Sequence, residues 1–82
     1  MTYYYDQIKV YKDKCRENIV LDVLREHSKD GWVRMSIADI SSEAHMSRPN
    51  VKEALNGLIG NNKITIETEA AGSLAPLYKI TY

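Results

Sequence analysis

The stretch Ser36-Ile37-Ala38-Asp39-Ile40-Ser41-Ser42-Glu43-Ala44-His45-Met46-Ser47-Arg48-Pro49-Asn50-Val51-Lys52-Glu53-Ala54-Leu55 contains two helix starts separated by a tight turn. Ser36 is a good N-cap, and Asp39 three residues on is a shorter version of the usual Glu or Gln capping-box partner. Met35 before the cap and Ile40 after it sit where a hydrophobic staple closes. These signals predict a short helix from Ile37 to Ala44. A second cap follows almost at once. Ser47 is the cap residue, Pro49 falls in the first turn where a missing N–H costs nothing, and Met46 and Val51 are placed for a second staple. The helix that follows buries Val51, Leu55, Leu58 and Ile59 on one face. Gly60-Asn61-Asn62 ends it, because Gly and Asn accept the left-handed backbone of a C-terminal cap.

Working outward, residues Tyr5 to Ser28 show helical spacing: Ile8, Tyr11, Cys15, Ile19, Val23 and Leu24 recur every three or four positions with charges between them. Asp30-Gly31 supplies a turn, and Trp32-Val33-Arg34 reads as a very short strand. On the other side the period changes to two. Ile64 and Ile66 alternate with Lys63, Thr65 and Glu67; then, after the loop Ala70-Ala71-Gly72-Ser73, Tyr78, Ile80 and Tyr82 alternate with Leu77, Lys79 and Thr81. Two such runs joined by a loop make a hairpin. The expected order is helix, strand, helix, helix, strand, strand, an α+β chain.

The chain has 82 residues, room for a single domain spanning 1–82. A domain of this size buries about 60–65% of the surface its unfolded chain exposes, so its core is thin. The 44% of hydrophobic residues is an ordinary globular share. No apolar run approaches the roughly 18–20 residues of a membrane span, so no membrane partner is expected. The start Met1-Thr2-Tyr3-Tyr4-Tyr5-Asp6 lacks the pattern of a secretory signal, and a cytoplasmic setting is the default expectation. Cys15 is the only cysteine, which excludes an internal disulfide and a cysteine-based zinc site. Eleven basic and eleven acidic side chains balance to zero net charge, which argues against a generic nucleic-acid coat. The distribution is uneven, however. Between His45 and Ile64 the charged residues are Arg48, Lys52 and Lys63 against Glu53 alone, whereas the first thirty residues carry six of each sign.

From Ile37 to Leu55 the sequence resembles the helix-turn-helix of winged-helix bacterial regulators, most closely the GntR family and also MarR-type domains. The resemblance rests on Ile37 and Ile40 in the first of the two helices, the turn Glu43 to Met46, the cap Ser47-Arg48-Pro49, then Val51 and the pair Ala54-Leu55. Gly60-Asn61-Asn62-Lys63-Ile64 matches the family's exit into the first wing strand. The resemblance implies three helices with a small antiparallel wing: a helix-turn-helix over 36–60, a wing hairpin over 63–82, and residues 1–18 as an extension of the first helix. The chain departs from the family at two places. His45 stands where the family has Gly, a turn position at which His tolerates positive φ. The wing loop holds Glu67 and Glu69 and no Arg or Lys, which speaks against a strong wing grip on the minor groove. The effector domain of a GntR regulator has no counterpart here, and no small-molecule effector is expected.

A winged helix lays the start of its third helix in the major groove of double-stranded DNA. The candidate contacts are Ser36, Ser47, Arg48, Pro49, Asn50, Lys52, Glu53, Asn56, Lys63 and Ser73. Arg forks onto guanine and Asn onto adenine, each good bidentate pair contributing about 1–3 kcal/mol of discrimination. Ser36 and Ser47 are caps first and phosphate ligands second. Lys52 and Lys63 suit phosphates, and Glu53 suits either cytosine or a local ion pair. Trp32 and Tyr78 are read as sheet or core aromatics, His27 and His45 as structural, and Cys15 as a small buried hydrophobe. Tyr4, Ile8, Tyr11 and Cys15 extend the apolar stripe of the first helix beyond what the motif needs; a second copy, giving a homodimer, is the simplest cover for it, and packing back on the chain's own wing is the alternative. The expected function is sequence-specific DNA binding by a small transcriptional regulator. The alternatives are a replication, plasmid or phage maintenance factor and a protein-interaction module. No paired carboxylates, nucleophile–base pair or metal cluster marks an enzyme, and no cofactor or metal is expected.

Overall fold

The computed structural model describes residues 15–81. Among them the chain forms three helices and a three-stranded antiparallel sheet, an α+β arrangement. Helix α1 covers residues 15–26; the sequence pattern ran on to Ser28, but the chain has already turned at His27. Then come β1 (Trp32–Arg34), α2 (Ile37–Ala44), α3 (Arg48–Gly60), β2 (Ile64–Thr68) and β3 (Leu77–Ile80).

Local chemistry explains each boundary. Asp30 and Gly31 both take positive φ, at 57° and 85°, between the paired amides and carbonyls of Lys29 and Trp32. This is the backbone a two-residue Asp-Gly turn of the primed type needs. Helix α2 starts with a complete capping box: Ser36 Oγ accepts from the Asp39 amide at 3.0 Å, and the Ser36 amide donates to Asp39 Oδ2 at 3.4 Å. His45 closes the helix in the left-handed conformation, φ 54°, with its amide donating to the Ser41 carbonyl. The Met46 amide reaches the same carbonyl at 3.1 Å, and the Ser41 hydroxyl donates to the Met46 carbonyl. One serine thus closes the turn between α2 and α3 from both directions. At the far end of α3 the left-handed position falls on Asn62, φ 59°, while Gly60 remains helical.

The sheet has strand order β1-β3-β2. Val33 pairs with Tyr78 and Ile66 pairs with Tyr78 from the other side, so β3 is the central strand. Between Ile66 and Thr68 the register slips, leaving Glu67 as the extra residue of a bulge. Beyond it the Ala71–Leu74 bridge closes the hairpin around Gly72, φ 58°. The Arg34 guanidinium donates to the Ala75 carbonyl at 2.6 Å and ties the returning arm to β1. Val20 and Leu24 of α1, Ile40 of α2, Val51 and Leu58 of α3 and Ile64 of β2 are fully buried at the centre. Ile59, expected in the core, is half-buried at its edge.

The turn residue makes a direct test of this geometry. His45→Val places a β-branched side chain at positive φ and should destabilise the fold by about 1–2 kcal/mol. His45→Gly should leave stability unchanged or raise it. Urea unfolding of the two variants checks the contrast; equal losses in both would mean that the imidazole, not the backbone, is what position 45 requires.

Candidate nucleic-acid interface

Helix α3 sorts its residues into two sets. Val51, Ala54, Leu55 and Leu58 are buried, which leaves Ser47, Arg48, Pro49, Lys52, Glu53 and Asn56 exposed and Asn50 half-buried. At the start of the helix, Ser47 Oγ accepts from the Asn50 amide at 3.4 Å. Pro49 has no N–H to give, so the anion-holding capacity of this end rests on the amide and guanidinium of Arg48. No charged residue of the first turn opposes an anion there.

One depression runs beside this helix, and a second adjoins it. The first lies between α3 and the hairpin and is lined by Lys52, Asn56, Ile66, Glu69 and Tyr78 among others. The second continues past the hairpin tip to the start of α2 and takes in Ser36, Asp39, Ser73 and Leu74. Ile37, Ala70 and Pro76 line both, so they form one groove. The floor is largely apolar, and Leu74 at its edge is 60% exposed.

The sequence-derived residues therefore fall into separate groups. Arg48, Pro49, Asn50 and Ser47 share the start of α3, while Lys52 and Asn56 face the groove. Glu53 turns to the opposite flank, where it lines a depression together with Arg16 and Glu17 of α1. Lys63 follows the C-terminal end of a thirteen-residue helix; at 1.5 Å per residue that is about 18–20 Å from Arg48. It does not join the same patch, and its carbonyl accepts from the Thr81 amide. Ser36 is committed to the capping box, and the Asp39 carboxylate that accepts from its amide places a negative charge at this helix start, which opposes an anion. Ser73 is exposed at the hairpin tip. Tyr4, Ile8 and Tyr11 lie outside the described residues; Cys15 is half-buried rather than buried.

Other expected and unexpected features surround this site. Trp32 stands on the outer face of the sheet, 39% exposed, with Lys79 Nζ 5.2 Å from its ring centroid, a cation–π pair across β1 and β3. His27, in the turn just after α1, has its Nε2 3.7 Å from Glu43 Oε2 of α2. Among the described residues no three His, Cys, Asp or Glu side chains gather as a metal site, and no helix is long and apolar enough to cross a membrane. No family model matches the sequence, and no curated protein matches it either.

The groove also contains a titratable group that the sequence pattern did not single out as such. Burial holds the Tyr78 phenol above its ordinary value of 10, and the nearby Glu69 carboxylate pushes it the same way. Below pH 10 the phenol is neutral in both folded and unfolded chains. As pH rises past 10 the unfolded chain ionises first, so this contribution to stability is lost on going through the raised folded value. Tyr78→Phe should therefore lose less stability than the wild type between about pH 9 and 11. Paired urea midpoints across that range measure the difference, and parallel profiles would contradict it.

Proposed function

We propose that the chain is a winged helix-turn-helix domain that binds double-stranded DNA, with α3 as the helix laid into the major groove and the β2–β3 hairpin as the wing. It acts in this reading as a small, non-enzymatic transcriptional regulator in the cytoplasm. The observation that carries the proposal is the division of α3: its inner stripe is buried, while a capped, acid-free first turn presents Arg48 and the next turns present Lys52 and Asn56 outward. These side-chain types suit phosphate and base-edge contacts from one helix face. Glu53, Ser36 and Lys63 drop out of the proposed contact set, for the geometric reasons given above.

Anisotropy of a labelled random-sequence duplex, titrated at several salt concentrations, tests this reading. Binding should weaken steeply with salt, and Arg48→Ala and Lys52→Ala should each reduce the slope of log affinity against log salt by about 1. Lys63→Ala should leave it nearly unchanged. No salt-dependent binding at low ionic strength would sink the proposal.

The same groove supports a second reading, a protein-interaction module. Its apolar floor, the 60% exposed Leu74 and the acidic residues Asp39 and Glu69 suit a polypeptide better than a phosphate backbone. Absence of DNA binding together with retained folding would favour it.

A homodimer belongs to the DNA reading, because two-fold pairs match palindromic half-sites. Ile19, one turn beyond Cys15 on α1, is 44% exposed and supports α1 as the contact. Sedimentation equilibrium should find a dimer that Ile19→Glu dissociates; identical masses for the two proteins would remove α1 from the interface.

A further inference from the structure

The hairpin carries two carboxylates two positions apart, Glu67 and Glu69, and they face different surroundings. Glu67 Oε1 accepts from Thr65 Oγ1 at 3.1 Å. Thr65 pairs with Lys79, on the outer side of the sheet away from the buried Ile64 and Tyr78. Glu69 instead lines the groove, together with Lys52 and Asn56 of α3. Its charge is felt there, since it contributes to the raised ionisation of Tyr78. The hairpin tip adds no compensating cation: between Glu69 and Lys79 the chain carries no Lys or Arg. The arm is also held in place, because Arg34 is bonded to the Ala75 carbonyl.

We propose that Glu69 is a selectivity residue of the DNA-binding face: its carboxylate opposes a phosphate beside Lys52 and Asn56, keeping affinity for arbitrary DNA low and leaving discrimination to base contacts. The inference rests on the DNA reading above. Physically it is a repulsive element whose cost falls most on complexes held by phosphate contacts alone; where base contacts set the register of α3, the phosphate is held farther from Glu69, the penalty is smaller, and discrimination rises. Glu67, on the other side of the sheet, provides an internal control with the same charge.

Glu69→Gln and Glu67→Gln change net charge equally, so they separate position from overall charge. Against a labelled random-sequence duplex at about 50 mM salt, Glu69→Gln should bind about two- to fivefold more tightly than wild type. Its salt dependence should steepen, by up to about 0.9 in slope if one phosphate contact is added. Against a duplex selected by the wild-type protein the gain should be smaller, so that the ratio of selected to random affinity falls. Glu67→Gln should match wild type in all three readings. Equal shifts in both variants, or no shift in Glu69→Gln, would overturn the proposal while leaving wild-type DNA binding intact. Failure of the wild type itself to bind duplex at any salt would overturn the DNA reading and this inference together.

Discussion

Burial of the inner stripe of α3 is the constraint on which the other elements depend. Leu58 and Val51 are fully buried, and the residues of the core they join come from every other element: Val20 and Leu24 from α1, Val33 from β1, Ile40 from α2, Ile64 from β2 and Tyr78 from β3. A chain this short has no second core to fall back on. The helix cannot rotate about its axis without exposing that stripe, so Lys52, Glu53 and Asn56 are held on fixed outward bearings. The candidate site is thus a by-product of packing: what α3 does not bury is what it can present.

Capping and turn chemistry made much of the local structure legible from sequence. Ser36 with Asp39, and Ser47 with Pro49, marked the starts of α2 and α3, because caps act within one turn and depend on few neighbours. Asp30-Gly31 and the positive φ at His45 were readable for the same reason. Contacts between distant segments were not. The pairing of β1 with β3 leaves no mark in three residues of strand, and the choice of β3 as central strand is made by tertiary contact. Likewise, Glu53 reads from the sequence as suited to cytosine or to a local ion pair, and only the packing of the helices shows that it lines a depression with Arg16 and Glu17 of α1. A helix places position 53 about 100° round from position 52, and the length of α3 carries Lys63 to its other end.

The electrostatic layout follows from this division. Zero net charge conceals a local arrangement in which Arg48 and Lys52 stand on the exposed part of α3 while Glu53 is turned toward α1. Across the groove stand Glu69 and an apolar hairpin tip. A surface of this kind offers little long-range attraction to a polyanion, so any recognition of DNA through it leans on short-range complementarity at α3. The apolar groove runs along this same face, which is why both readings meet there.

The bulge in β2 has a consequence for how charge is displayed along the hairpin. In an unbroken strand, residues two apart share a face, and Glu69 would stand on the same side as Glu67 and Thr65. Because Glu67 is the extra residue, with Thr68 opposite Leu77, the parity of everything beyond it is reversed. Residue 69 is thereby delivered to the α3 side with no change in its identity. The insertion or loss of a single residue at this point would therefore move a carboxylate from one surface of the molecule to the other, a change of electrostatic pattern written in backbone length rather than in side-chain chemistry.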